Sequence, residues 1–522
     1  MTSKMNRRSV WLAGAALVLI TGAIYSFAFP GQFHLDDAEY ITRNPLITGG
    51  RGLQPLWFST APKDYYPLTF TVLWLEWHLW GGHAAGYLTV NILLQACNVL
   101  LLWLVLRRFN LAGAWLAALL FAVHPLNVAT VAWLSQLKSV LAMSFALLVV
   151  LADRRFDETR QPGWYMTALV LFLLALLSKS AVVALPVVLL LLNAWRRGKF
   201  VRTDVIRYAP YFALSIVFGL VTIWFQSHRV LEASPVRQIR FVARTGDAAC
   251  ALWFYVSKAL LPVNLMLVYP NWTSPQPGTW QMLAVAGGII IAIVLWRFRQ
   301  WGVLVALGCY VAMLLPVLGF FDQGFYVFSL VADHWQYFAL PALLVLPAEL
   351  LVKSRRTAWR GALPITVTAV GALLLTSVGR ASLFSNAESL WRDSVARNPG
   401  SWVTHFNLGL ALKEQGRIGE AIACYRQALR LNPNDVKSHN NLGNALLERD
   451  QLGEALAQFR EAIRLKPDLP AAHNNLGVTL ARMGRLREAA AEFREAVRLD
   501  ADYADARKNL ARVRGILEAQ KR

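Results

Sequence analysis

One short phrase returns at a fixed interval and decides what the last quarter of this chain can be. Asn407-Leu408-Gly409 recurs as Asn441-Leu442-Gly443 and Asn475-Leu476-Gly477, each copy 34 residues after the last, with a decayed copy at Asn509-Leu510. A fixed period of roughly 20–50 residues means one supersecondary unit stacked on itself, because a single unit cannot bury its own apolar face. The sequence ahead of the repeats is of another grade. Hydrophobic residues make up 56% of the whole chain and charged residues only 16%, against about 25% charged in an ordinary soluble domain.

A period of 34 with helix-turn-helix spacing is the tetratricopeptide (TPR) signature. Units are expected near 399–432, 433–466 and 467–500, each opening at a proline (Pro399, Pro433, Pro467), with a polar-faced capping helix over 501–519. The expected domain is 386–522. Asn407, Asn441 and Asn475 fall on the first helix of their units. In such an array that helix lines the concave face, where an amide can pair with a peptide's donor and acceptor. They are the candidate acceptor-binding residues; the array can also be no more than a stabilising appendage.

Residues 1–385 read as a polytopic membrane domain. Apolar runs suited to a hydrocarbon core about 30 Å thick lie near 10–29, 86–106, 112–130, 137–152, 163–178, 180–195, 209–226, 279–296, 301–320, 335–352 and 361–379. The fold class expected is therefore all-α, a helix bundle of about eleven spans followed by an α-solenoid. Residues 246–262 are apolar but hold Asp247 and Lys258, and are read as a helix lying in the interface. The first run is too long for a signal-peptide core and is read as an uncleaved helix.

Charge supplies the topology. The net charge is +21, of which the repeats carry only +5. The excess sits in clusters between spans, at Arg7-Arg8, Arg107-Arg108, Arg154-Arg155, Arg196-Arg197, Arg297/Arg299 and Lys353–Arg356. With the start inside and the spans alternating, every cluster lands on the cytoplasmic side. An odd number of spans then puts the repeats outside the cytoplasm. No basic repeat with interleaved aromatics points to nucleic acid. Cys97, Cys250, Cys309 and Cys424 show neither metal spacing nor a disulfide framework.

Three outer loops are long enough to build a site: 30–85, 227–278 (with Arg229, Arg237, Arg240 and Arg244) and 321–334. Asp36-Asp37 stands just beyond the first span. Such a carboxylate can act as general base, or bind a divalent cation that holds a phosphate. Adjacent side chains on an extended segment point opposite ways, so one acid is expected to do chemistry and the other to orient it. Lys138 and Lys179 sit at outer helix boundaries, where lysine either snorkels or clamps a lipid phosphate. Asp333 can fix the tautomer of His334, and His124 lies near the outer end of the third span. No metal-ligand pattern stands out.

These residues together resemble bacterial relatives of the transmembrane-and-TPR O-mannosyltransferases, within the C-type (GT-C) glycosyltransferase superfamily. The resemblance rests on Leu35–Ile41 with Asn44-Pro45, Tyr65–Thr69, Gly86-Tyr87 with Asn91, His124-Pro125 with Val131–Trp133 and Lys138, Leu177–Lys179 with Leu185-Pro186, Tyr269-Pro270 with Trp272, and Ala332–Tyr337. Similar chains carry other residues at Ala129, Gln136-Leu137 and Gln95. The resemblance implies a GT-C-like membrane domain and an essential acid in the first outer loop, at Asp36 or Asp37. It implies a polyprenyl-phosphate-linked sugar as donor, with Lys138, Lys179, His334, Asp333 and His124 as donor phosphate-binding candidates, and a protein hydroxyl as acceptor. The expected location is a bacterial inner membrane, with the N-terminus cytoplasmic and the TPR domain periplasmic. The rival readings are a membrane-anchored scaffold and a similar enzyme acting on a glycan or lipid.

Overall fold

The structure, a computed structural model, describes residues 6–34, 36–50, 52–231, 241–270, 279–356 and 361–520. Arg237, Arg240 and Trp272 lie outside the described residues. Every regular element among the described residues is helical. The chain divides into two compact units, Met1–Asn386 and Ala387–Arg522.

Among the described residues of the first unit, six helices are long and apolar enough to cross a membrane: Arg7–Ala28, Ala84–Arg108, Leu134–Thr159, Ser180–Arg197, Arg202–Val230 and Ala362–Leu383. A bent pair, Ala114–Ala122 with Leu126–Ala132, makes at most a seventh. The expected count of about eleven is therefore corrected to six or seven. The run over 112–130 is not one straight helix; it turns by 62° across Val123–Pro125, because proline has no N–H to donate and its ring clashes with the preceding turn. The runs at 163–178, 279–296 and 301–320 form shorter apolar helices. The run at 335–352 is divided between a tight turn, Asp333–Gln336, and a helix, Leu340–Arg356, that carries Glu349 and Lys353.

Helix Leu134–Thr159 is the most deeply packed of the six. Buried amides fix its register against Ala84–Arg108: Asn98 Nδ2 donates to Val140 O at 2.8 Å and Asn91 Nδ2 to Leu134 O at 3.4 Å. Its far end is held by ions. Asp157 is fully buried and meets Arg196, Arg197 and Arg207, while Asp153 takes Arg207, Tyr208 and Asn193. Part of the basic excess that looked purely topological thus closes a buried ion cluster. A carboxylate left alone there would carry the full cost of desolvation.

The second unit is a stack of helix pairs, Trp402–Glu414/Ile418–Leu431, Val436–Glu448/Leu452–Leu465 and Pro470–Arg482/Leu486–Leu499, closed by Ala504–Ala519. Glycine is needed where the two helices of a pair touch. A Cβ on Gly443 would meet Phe459 Cε1 at 2.6 Å, and Gly409 and Gly477 face Tyr425 and Phe493 in the same way. Each pair carries a second lock that the sequence reading missed. The Nε2 atoms of His405, His439 and His473 bond the carbonyls of Pro399, Pro433 and Pro467 at 3.0, 2.9 and 3.0 Å.

Candidate active site

The acidic pair is positioned by the start of helix Leu137–Thr159. A tight turn, Leu134–Gln136, leads into that helix and leaves backbone N–H groups that its own ladder cannot satisfy. Asp37 fills the vacancy. Its Oδ1 accepts from Ser135 N at 2.7 Å, and its Oδ2 accepts from His34 N at 2.9 Å. Both oxygens are therefore engaged by backbone, and the carboxylate is fully buried. Asp36 accepts from Ser135 Oγ at 2.8 Å, its carboxylate takes no backbone donor among the described residues, and it keeps part of its surface exposed. Asp37 thus ties the loop to backbone, while Asp36 keeps the freer carboxylate.

Burial, then the neighbouring charge of Asp36, pushes the Asp37 carboxyl up to about 7. Asp36 is also raised by burial, with Lys138 and the Ser135 hydroxyl opposing the shift. A carboxylate made more basic in this way is a better proton acceptor near neutral pH.

Two cations face the acids. The Lys138 ammonium lies 4.3 Å from the centre of the Tyr40 ring and 5.9 Å from that of Tyr66, so its charge rests on aromatic faces. Lys179 follows helix Pro162–Ser178, and its Nζ donates to Ser139 Oγ at 2.8 Å and Gln136 Oε1 at 3.4 Å. Among the described residues neither lysine forms an ion pair with a carboxylate. Burial first, and then the charge of Lys138, lowers Lys179 to about 7. Two close lysines that meet Asp36 and Asp64 through space and pair directly with neither are a receptive place for an anion such as phosphate.

The segment 321–334 is arranged otherwise than its sequence suggested. Asp333 does not hold the ring of His334. It accepts from Tyr269 OH at 2.7 Å and Arg380 Nη2 at 3.0 Å, because neighbouring side chains on the tight turn Asp333–Gln336 diverge. His334 instead packs edge-on against Trp133, ring centres 5.3 Å apart. Burial, followed by the charges of Lys179 and Lys138, holds its basicity well below that of free imidazole. His124 is taken up by the fold. Its Nε2 bonds Ala259 O at 3.0 Å and its Nδ1 accepts from Leu126 N at 3.3 Å, leaving no ring nitrogen for a ligand.

A network around Asp64 was not foreseen. The Tyr40 hydroxyl and Gln226 Nε2 (2.6 Å) both donate to Asp64, and Gln226 Oε1 accepts from Gly324 N at 3.0 Å. Through this chain three segments fix the ring on which Lys138 rests. The only signal in the sequence was an acid inside the aromatic run Lys63–Tyr66. Among the described residues no three metal-ligating side chains converge.

In the repeats, Asn407 and Asn441 donate to carbonyls of their own helices, Val403 O at 2.8 Å and Lys437 O at 2.9 Å. Asn475 reaches Asn440 Oδ1 of the preceding unit at 3.1 Å. Their amide donors are spoken for within the array.

Fold and site define a class: an all-α, multi-pass membrane protein with a clustered acid–lysine site, joined to a tetratricopeptide array. Residues 62–224 match the family model for dolichyl-phosphate-mannose-protein mannosyltransferase, and residues 409–450, 443–484 and 470–503 match tetratricopeptide models. The chain resembles the transmembrane-and-TPR O-mannosyltransferase family to which its motifs pointed. A protein O-mannosyl-transferase of Caenorhabditis elegans is 24% identical over 78% of this chain and 61% of its own length. The protein O-mannosyl-transferase TMTC1 of Homo sapiens is 28% identical over 80% of this chain and 55% of its own length. This chain thus spans little more than half the length of these relatives. Among solved structures, YrrB is similar at 20% identity over 35% of this chain and 82% of that one, with a TM-score of 0.22. MamA is similar at 18% identity over 24% of this chain and 74% of that one, with a TM-score of 0.24.

Proposed function

We propose that this protein is a GT-C-type glycosyltransferase that moves a sugar, mannose by analogy with the relatives' names, from a polyprenyl-phosphate carrier to a hydroxyl of a protein. The observation that carries the reading is the placing of Asp36 and Asp37 near two lysines, Lys138 and Lys179, that form no direct ion pair among the described residues. A serine or threonine hydroxyl of the acceptor attacks the sugar's anomeric carbon. Asp36 takes the hydroxyl proton as the bond from that carbon to the phosphate oxygen breaks. The carrier leaves as its phosphate, whose added negative charge Lys138 and Lys179 stabilise, an effect concentrated where water is excluded. Asp37 holds the base in place and Asp64 holds the ring under Lys138. Of the remaining phosphate-binding candidates, His334 is the one near both lysines.

The membrane is a bacterial inner membrane, with Arg7-Arg8 on the cytoplasmic side; counting the bent pair Ala114–Ala122 with Leu126–Ala132 as a seventh span keeps the number odd and supports a periplasmic 386–522. The repeats bring the acceptor. The decisive experiment is transfer in proteoliposomes containing a polyprenyl-phosphate mannose and a serine/threonine-rich polypeptide. The wild-type chain transfers, and Asp36→Asn inserts and folds but does not. Equal transfer by Asp36→Asn overturns the reading, and no transfer by either with intact folding favours a scaffold.

A further inference from the structure

A large apolar cavity in the first unit lies apart from the acid–lysine site. It encloses about 930 Å³ between the helices Ala84–Arg108, Leu134–Thr159, Ser180–Arg197, Trp301–Leu314 and Leu340–Arg356. That is near the top of the range for small-molecule sites, about 300–1,000 Å³. On helix Trp301–Leu314 the lining runs from Trp301 to Met313, and on Leu340–Arg356 from Pro341 to Lys353. Twelve steps at the helical rise give a length of about 18 Å, too long for a sugar and suited to a hydrocarbon chain.

The polar groups of the lining gather at one end. Gly302, whose Cβ position lies 3.5 Å from Trp195 Nε1, and Phe109, whose ring centre is 6.1 Å from that of Trp195, mark this end. Here stand Arg299, Gln300, Glu349 and Lys353, flanked by Trp195 and Trp301. Glu349 is already neutralised: it takes Gly113 N at 2.6 Å and Lys353 Nζ at 3.2 Å. Arg299 has no carboxylate partner among the described residues, so the mouth keeps a net positive charge. Its position is fixed. Arg299 sits in the left-handed region (φ 54°), where its N–H bonds Trp296 O at 3.1 Å and that of Gln300 bonds Leu295 O at 2.9 Å. A non-glycine residue is held in that conformation at a cost, and surrounding structure must over-determine it. At the other end Met143, Leu185 and Phe338 close the cavity with apolar surface.

We infer that this cavity is a binding site for one anionic phospholipid of the leaflet on the Arg7-Arg8 side, with its phosphate at Arg299 and an acyl chain running inward. The charge at the mouth, the two tryptophans that flank it and the apolar shaft each select for that occupant. The inference is independent of the proposed transfer reaction.

The test is native mass spectrometry of the delipidated full-length protein, offered dioleoylphosphatidylglycerol or dioleoylphosphatidylethanolamine. The wild-type protein retains one phosphatidylglycerol about fivefold or more in preference, the worth of one arginine near a membrane surface. Arg299→Gln loses the preference and Arg299→Lys keeps it. Ala306→Phe fills the shaft and abolishes retention of both lipids, with folding checked by thermal melting. Equal retention of the two lipids by the wild-type protein, or an unchanged preference in Arg299→Gln, overturns the inference. So does an Ala306→Phe protein that keeps phosphatidylglycerol and loses a polyprenyl phosphate, which would assign the shaft to the donor's tail.

Discussion

Asp37 and Ser135 are 98 positions apart, and the carboxylate of the first caps the backbone N–H of the second at 2.7 Å. The bond joins the loop after the first helix to the helix that carries Lys138, so the proposed base and the proposed phosphate site share one frame.

The two acids should fail differently. Asp36→Asn should lower transfer by about 10²–10⁴, the usual worth of a general base, with little change in melting temperature. Asp37→Asn keeps one acceptor for two backbone donors and should destabilise the membrane unit by about 1–3 kcal/mol. Transfer assays and thermal melts on the same purified proteins separate the two.

The Asp37 carboxyl, raised to about 7 in the folded protein, predicts a pH slope. The folded state binds a proton that the unfolded state releases near the ordinary carboxylate value of about 3.9. Stability therefore falls as pH rises from about 4 through 7. Melting temperature should be lower at pH 8 than at pH 5.5, and Asp37→Asn should flatten the difference.

Lys179 has its charge suppressed to about 7 by burial and by Lys138. A bound phosphate restores that charge, so donor binding takes up a proton and weakens as pH rises past 7. Lys179→Gln should remove this dependence and weaken donor binding about 10–100-fold, the worth of a charged hydrogen bond. Titration calorimetry in two buffers of different ionisation enthalpy reads both.

His473 offers a switchable lock in the repeats. Its Nε2 meets Pro467 O and its Nδ1 meets Glu492 at 2.7 Å. Both are acceptors, so both nitrogens must donate and the ring must be charged. The bond to Glu492 raises its basicity. The stabilisation is complete below about 6.5 and is lost as pH rises through the raised value. Hydrogen exchange in helix Pro470–Arg482 should accelerate beyond its intrinsic pH trend above neutrality, and His473→Gln should abolish the excess.

A methyl group at Gly443 has nowhere to go beside Phe459. Gly443→Ala should cost about 1–3 kcal/mol, as overpacking does. Amide protection in Val436–Glu448 and Leu452–Leu465 should fall, with the membrane helices unchanged.

The repeats were legible because their period is local and strict, and the acids stood out because charge beside a long apolar run is rare. The span count was misread because hydropathy averages across a break such as Val123–Pro125. Asp64 stayed hidden because its partners, Tyr40 and Gln226, are 24 and 162 positions away. Asp333 and His334 were paired on adjacency alone, and a tight turn separates them. Where function depends on which distant loops meet, one chain's pattern carries no signal.

The glycine seat and its aryl partner lie inside a single helix pair, as does the histidine bond to the opening proline. Each pair thus carries its own assembly instructions. Duplicating or excising one whole 34-residue module should leave the flanking copies intact, so the reach of the array can change in discrete steps without redesign of its joints.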